Sequence, residues 1–226
     1  MCLRAGQEFV VRLVRWLRRM WHKFWGTNMS IKEEIERAAE FGEKFEELVV
    51  ARKECPAGDR NMLLIGYWSL IFDCHKGILS LLANEFYGSA FALVRPTLEA
   101  LVRSHVVLMG SEEDVQRIKK DEYSVNFKTI GAQIDAAFGY GTLLQKLLDA
   151  ALKALHSFTH SGISQLGRRF EGNDLKLAYF DEEIIEVIRT TTSAVYLVTR
   201  LVTMHFKFEE EAKAAEELFL QWGKRS

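Results

Sequence analysis

Residues 87–109, YGSAFALVRPTLEALVRSHVVLM, decide the fold. Phe91, Val94, Leu98, Leu101, Val102 and Val106 spread around a helical wheel, so the segment is apolar on nearly every side. A helix of that kind is enclosed by other helices. Gly110 stops it, and Ser111 with Asp114 restarts the chain as a helix to about residue 136.

On both sides of this segment the pattern stays helical. Residues 31–53 form an acidic amphipathic helix, opened by a capping box of Ser30 and Glu33 and ended by Cys55-Pro56-Ala57-Gly58. Residues 59–86 are strongly apolar. Residues 142–160 read as another helix, 163–180 as the least regular stretch, 181–207 as an apolar helix and 208–222 as an acidic terminal one. Two prolines in 226 residues agree with helices throughout, and no internal repeat is visible. The fold class expected is all-α: a single bundle of about six long helices (residues 29–226) preceded by a separate segment, residues 1–28.

That segment carries six basic residues and one acid, a net of +5, against −6 for the remainder. Over residues 9–25, Phe9, Val10, Leu13, Val14, Leu17, Met20, Trp21 and Phe24 fill one half of a helical wheel. Arg12, Arg15, Arg18, Arg19, His22 and Lys23 fill the other. Three readings stand: a helix lying in a membrane interface, a helix docked on protein, or an extension upstream of a natural start at Met29. The main body lacks the broadly basic surface of a general nucleic-acid binder, although a local patch could still bind one. No apolar run reaches 18 residues, so no transmembrane helix is expected. The three cysteines form no framework, which fits a reducing cytosol. The expected location is cytoplasmic, or peripheral at a membrane through residues 9–25.

Two constellations could carry chemistry. Arg95, Glu99 and Arg103 fall four apart on the central helix and line one stripe. Arg and Glu are seldom fully buried unless paired, so this stripe is either internally paired or lines a polar groove. The second is LKALHSFTHSG, residues 152–162, where His156 and His160 share a face with Lys153. Ser157, Thr159 and Ser161 add hydroxyls, and Arg168-Arg169 follow, a mixture suited to an anion or phosphate. A metal held by His156 and His160 would need a third ligand, for which His75, Cys74, Glu99 and His105 are candidates. The bland alternatives are a structural ion-pair stripe and a solvated helix end. No HExxH, Gly-rich phosphate loop or GxSxG elbow is present.

RPTLEALVR (95–103) and LHSFTHSG (155–162) resemble segments of an uncharacterised bacterial all-helical family. The resemblance spans about residues 60–205. That family's bundle is similar to HEPN-type and abortive-infection proteins, which act as ribonucleases or nucleotidyl-transfer partners in phage defence and toxin–antitoxin systems. Their hallmark is Arg, four to six residues, then His. Arg200 and His205 match it, but five residues on is roughly 140° around a helix, so the two side chains diverge. Lys153 and His160 share a face at the longest allowed spacing, with Lys in place of Arg. The resemblance implies a homodimer that binds RNA or a nucleotide. In its enzymatic form, a HEPN-like ribonuclease or related phosphoryl-transfer activity, His156, His160 and Glu99 would be catalytic. Arg95, Arg103 and Lys153 would bind phosphate, and no cofactor is required. The alternatives from the residues alone are a non-catalytic helical interaction module and a His-based metal-binding bundle.

Overall fold

Ser30 and Glu33 begin the first helix as the sequence requires. The Ser30 hydroxyl accepts from the Glu33 N–H at 3.3 Å, and Glu33 accepts from the Ser30 N–H at 2.8 Å. The computed structural model describes residues 30–52, 57–127, 129–138, 142, 144–145, 148, 163–171, 174–175 and 178–223. The helices are α1 (Ile31–Val50), α2 (Asp59–Ala83), α3 (Tyr87–Met109), α4 (Glu112–Lys119), α5 (Ile130–Phe138), α6 (Ile163–Gly167), α7 (Asp181–His205) and α8 (Glu209–Gly223). Between α6 and α7 lies an antiparallel ribbon, β1 (Phe170–Glu171) with β2 (Asp174–Leu175), pairing Phe170 with Leu175 and Glu171 with Asp174. The fold is all-α. The segment 1–28 lies outside the described residues.

α3 occupies the position its sequence demands. It packs on α2, α7, α4 and α5, and Phe91, Val94, Leu98, Leu101, Val102 and Val106 are buried. The helix continues through Pro96, which removes one i→i−4 hydrogen bond. Its enclosure is not complete. Ala92, Pro96, Glu99 and Arg103 form a half-buried edge at i, i+4, i+7 and i+11. The expected polar stripe lies on that edge.

Cross-helix contacts fix the directions. His75 of α2 meets Thr191 of α7, and Asn61 meets His205, so α2 and α7 are antiparallel. Glu34 pairs with Arg189, and Phe45 packs on Tyr196, so α1 and α7 are parallel. α8 returns antiparallel to α1, through Arg52–Glu211 at one end and Arg37 on the Gln221 and Trp222 carbonyls at the other. Arg37 thereby neutralises the negative end of the α8 dipole.

One expected helix is two. The run from Ser111 to about residue 136 holds α4, then a break, then α5. Ser111 and Asp114 do cap α4 as read. Asp121 then adopts φ 57°, and residues 122–126 fall in no helix or strand. There Tyr123, Val125 and Phe127 lean on the core, while Glu122, Ser124 and Asn126 are exposed. This is the period-two alternation of a strand, and it overrode the helical reading. α2 also stops earlier than expected, at Ala83, because Glu85 takes φ 60°.

Trp222 is fully buried, with Phe219 at 5.8 Å and Phe41 at 6.5 Å between ring centroids. Replacing Trp222 with Ala should destabilise the chain by about 3–5 kcal/mol in urea unfolding, since α8 would lose its anchor on α1. A loss under about 1 kcal/mol would show that α8 is dispensable to the core.

Candidate functional site

The stripe on α3 is an ion pair beside a single arginine. Arg95 donates from Nε to Glu99 Oε1 at 2.7 Å, with 22% of one side chain and 30% of the other exposed. Arg103, one turn on, is half-buried and has no acid partner among the described residues. It lies near Tyr123, whose phenol is raised above its usual range by burial and by Asp114, against the lowering effect of Arg117 and Arg103. The stripe thus nets one positive charge, and Arg103 carries it. Lys153, His156 and His160 lie outside the described residues, so the meeting of the two constellations is not among the observed contacts.

The other described histidines are core or helix-end groups. His75 is buried where α1, α2 and α7 meet. Its Nε2 lies 3.5 Å from the Ala38 carbonyl and its Nδ1 3.0 Å from the Thr191 hydroxyl. The one Thr191 hydroxyl proton serves either Nδ1 or the Val187 and Ile188 carbonyls 3.1 Å away, so the direction at Nδ1 follows the tautomer. Gly42 makes this possible, because a Cβ there would sit 3.3 Å from the imidazole. His105 is also buried, 2.7 Å through Nδ1 from the Leu101 carbonyl and edge-on to Phe138. Both rings are held down to about 4, chiefly by burial. As third metal ligands, the role the sequence allowed them, both are committed to core hydrogen bonds. Burial raises the thiol of half-buried Cys74, and Thr97 hydrogen-bonds it. Among the described residues no three His, Cys, Asp or Glu side chains gather as a metal site.

Arg200 and His205 do not form a pair. His205 donates from Nε2 to Asn61 Oδ1 at 2.8 Å. Partial burial and the nearby Arg60 lower its affinity for a proton. The arginine beside His205 is therefore Arg60, from α2. Arg60 is itself engaged with the Val107 and Gly110 carbonyls at the end of α3, and with Glu112 at 3.5 Å.

Sequence reasoning missed what Arg168 does. Arg168 and Glu183 form a buried two-pronged ion pair, with one contact of 2.6 Å from Arg168 Nη2 to Glu183 Oε1. Arg168 also donates to the Ala178 carbonyl at 3.1 Å and stacks over Tyr179. Glu183 reaches back to the Phe180 N–H at 3.3 Å and starts α7. Arg169 points instead at Gly88, the second residue of α3. A Cβ there would sit 3.3 Å from the guanidinium, 3.4 Å from the Gln165 amide and 3.1 Å from the Tyr179 hydroxyl. A Glu in the first turn of α7 was the only local signal.

A family model described as a family of unknown function, DUF6988, matches residues 68–219, more than half of the chain. The chain belongs to this family. The DUF6988 match begins within α2 and ends in α8, so it holds all of α3, the Arg168–Glu183 pair and α7. No curated protein and no solved structure matches the chain. No helix among the described residues is long and apolar enough to cross a membrane.

His75 and His105 bind protons more weakly folded than unfolded, so the unfolded chain gains protons first as pH falls. Stability should drop with falling pH between the unfolded value of 6.5 and the folded value of about 4, by up to roughly 3 kcal/mol for each ring. Urea titrations at pH 6.5 and 5 measure the slope, which His75→Gln should reduce; identical slopes for wild type and variant would contradict the assignment. Separately, Glu183→Gln should cost about 3–5 kcal/mol by leaving Arg168 buried without its charge partner. The double change Arg168→Met with Glu183→Leu should cost less than either single change. A double-mutant cycle with additive losses would mean that the two residues act independently.

Proposed function

We propose that this DUF6988 protein binds a phosphate-bearing ligand, a single-stranded RNA or a nucleotide, along the outward stripe of α3. The observation that supports it is Arg103: a half-buried guanidinium on the otherwise core-facing helix, with no acid among the described residues to neutralise it. A guanidinium on that edge with no acid among the described residues to neutralise it suits a phosphate. Glu99 orients Arg95 rather than competing for the anion, because its Oε1 already accepts from the Arg95 Nε. In this reading Lys153 adds a second phosphate contact, and His156 and His160 stand as general acid and base beside Glu99. The arginines would stabilise the charge of an in-line transition state. The enzymatic form is a HEPN-like ribonuclease or related phosphoryl-transfer activity, acting as a homodimer in phage defence or a toxin–antitoxin pair. The rival reading is a non-catalytic interaction module, favoured by exposed apolar side chains at the start of α3 and α7.

Fluorescence anisotropy of the full chain with a labelled single-stranded RNA separates the two. Arg103→Ala should weaken binding about tenfold and reduce the salt slope by roughly one. His160→Ala should abolish RNA cleavage or binding without moving the melting temperature. If both variants bind and cleave as wild type does, or wild type binds no RNA, the interaction-module reading replaces this one.

A further inference from the structure

Four large apolar side chains lie open at one end of the bundle: Phe86 at 62% exposure, Phe180 at 60%, Leu166 at 53% and Phe170 at 49%. Each adjoins a member of a single contact cluster. Gly88 meets Gln165, Arg169 and Tyr179, and Tyr87 packs on Tyr179 with centroids 5.4 Å apart. The turns that present these residues also expose Glu85, Asp181 and Glu182. Glu85 and Asp181 are near enough to raise the Tyr87 phenol, after burial itself. Arg168 is neutralised by Glu183, which leaves Arg169 among three exposed carboxylates. The result is a group of exposed apolar side chains at one end with carboxylates beside them, and a grouping of that kind marks an interaction site more than scattered surface residues do.

The chain preceding α1 leaves from this same end. α1 runs parallel to α7, with Glu34 opposite Arg189 and Phe45 opposite Tyr196, so Ser30 lies level with the first turns of α7. Only Gly26, Thr27, Asn28 and Met29 separate Ser30 from the amphipathic residues 9–25. The five extended steps from Trp25 to Ser30 reach at most about 18 Å, which confines any helix made by residues 9–25 to the near end of the bundle. Its character is the complement of the patch: one apolar half with Leu13, Leu17, Met20 and Trp21, one basic half, and a net charge of +5 over residues 1–28 against −6 elsewhere.

We infer that residues 9–25 dock as an amphipathic helix on the apolar, acid-flanked end of their own bundle, with the apolar half on Phe86, Leu166, Phe170 and Phe180 and the basic half toward Glu85, Asp181 and Glu182. This is helix-in-groove recognition within one chain. Tethering by four residues gives the contact a high effective concentration, so modest surface suffices. The inference is independent of RNA binding at α3.

Limited trypsin digestion of the full chain tests it, because Arg12, Arg15, Arg18, Arg19 and Lys23 are the cut sites within the segment. Docking protects them. Phe170→Glu with Phe180→Glu should speed cleavage there by about tenfold, the rate following the undocked fraction. Leu17→Glu should do the same with the melting of the bundle unchanged, and it alone decides if the Phe variants do not fold. Equal cleavage rates in wild type and Leu17→Glu would overturn the inference. So would protection that appears only with phosphatidylglycerol vesicles, which means a membrane helix, or protection lost on dilution, which means docking between copies.

Discussion

The buried contact of His75 with Thr191 sets the register on which the remaining helices depend. Apolar packing alone specifies register weakly, because a core accepts exchanges among apolar side chains of similar volume. A buried imidazole cannot slide, because moving it away from Thr191 and the Ala38 carbonyl leaves polar atoms unpaired in the core. One ring thus ties α1, α2 and α7 at a single level. Gly42 lets α1 approach that ring closely enough for the tie to form. The Asn61–His205 bond, fourteen residues away along each helix, repeats the same register at the far end of the α2–α7 seam.

α7 reads as apolar although it buries Thr190, Thr191, Thr192, Thr199 and Thr203. Several of these hydroxyls turn back on their own helix. Thr192 donates to the Ile188 carbonyl at 2.9 Å and Thr203 to the Thr199 carbonyl at 3.0 Å. A threonine so bonded presents its methyl group to its neighbours, and it needs nothing from another helix. Thr191 does both: it lies 3.1 Å from the Val187 and Ile188 carbonyls of its own helix and 3.0 Å from His75 of α2.

The parts of the fold legible in sequence were those with local causes. The capping residues Ser30 and Ser111 and the all-round apolarity of α3 act within a few residues, and each located its element. The break after α4 also had a local cause in the alternation from Tyr123 to Phe127, but a helical continuation competed with it. The candidate site was half legible. Arg95, Glu99 and Arg103 do share one stripe, and that follows from their spacing of four. Whether the stripe is buried or open depends on where neighbouring helices end, which no spacing reports. His75 and His105 illustrate the converse. Their residue type suggests a ligand, but their partners lie on other helices or on backbone carbonyls, and those make them structural. Arg168 and Glu183 are fifteen residues apart across a turn and a ribbon, so nothing short-range announces that they pair.

Several helix termini are finished by a matching side chain, as Ser30 does for α1 and Arg37 for α8, but two helix starts are not. At the far end of the bundle, Arg60 donates to the last carbonyls of α3, and Gly110 leads directly into the capped start of α4. A cation on exposed carbonyls is the favourable arrangement for a helix C-terminus. At the near end, α3 begins at Phe86 with no side-chain cap, and α7 begins at Phe180 with Glu183 supplying only the return bond. Phenylalanine cannot accept a hydrogen bond, so neither start gains the stabilisation that Ser30 gives α1. Two N-cap positions held by exposed phenylalanines, on helices otherwise well adapted to their core, are a local cost that folding alone does not require. The buried Arg168–Glu183 pair holds the surrounding turn in place, so the exposed aromatics are displayed on a fixed frame. A rigidly supported apolar surface is what recognition needs, because little side-chain and backbone freedom remains to be lost when something covers it.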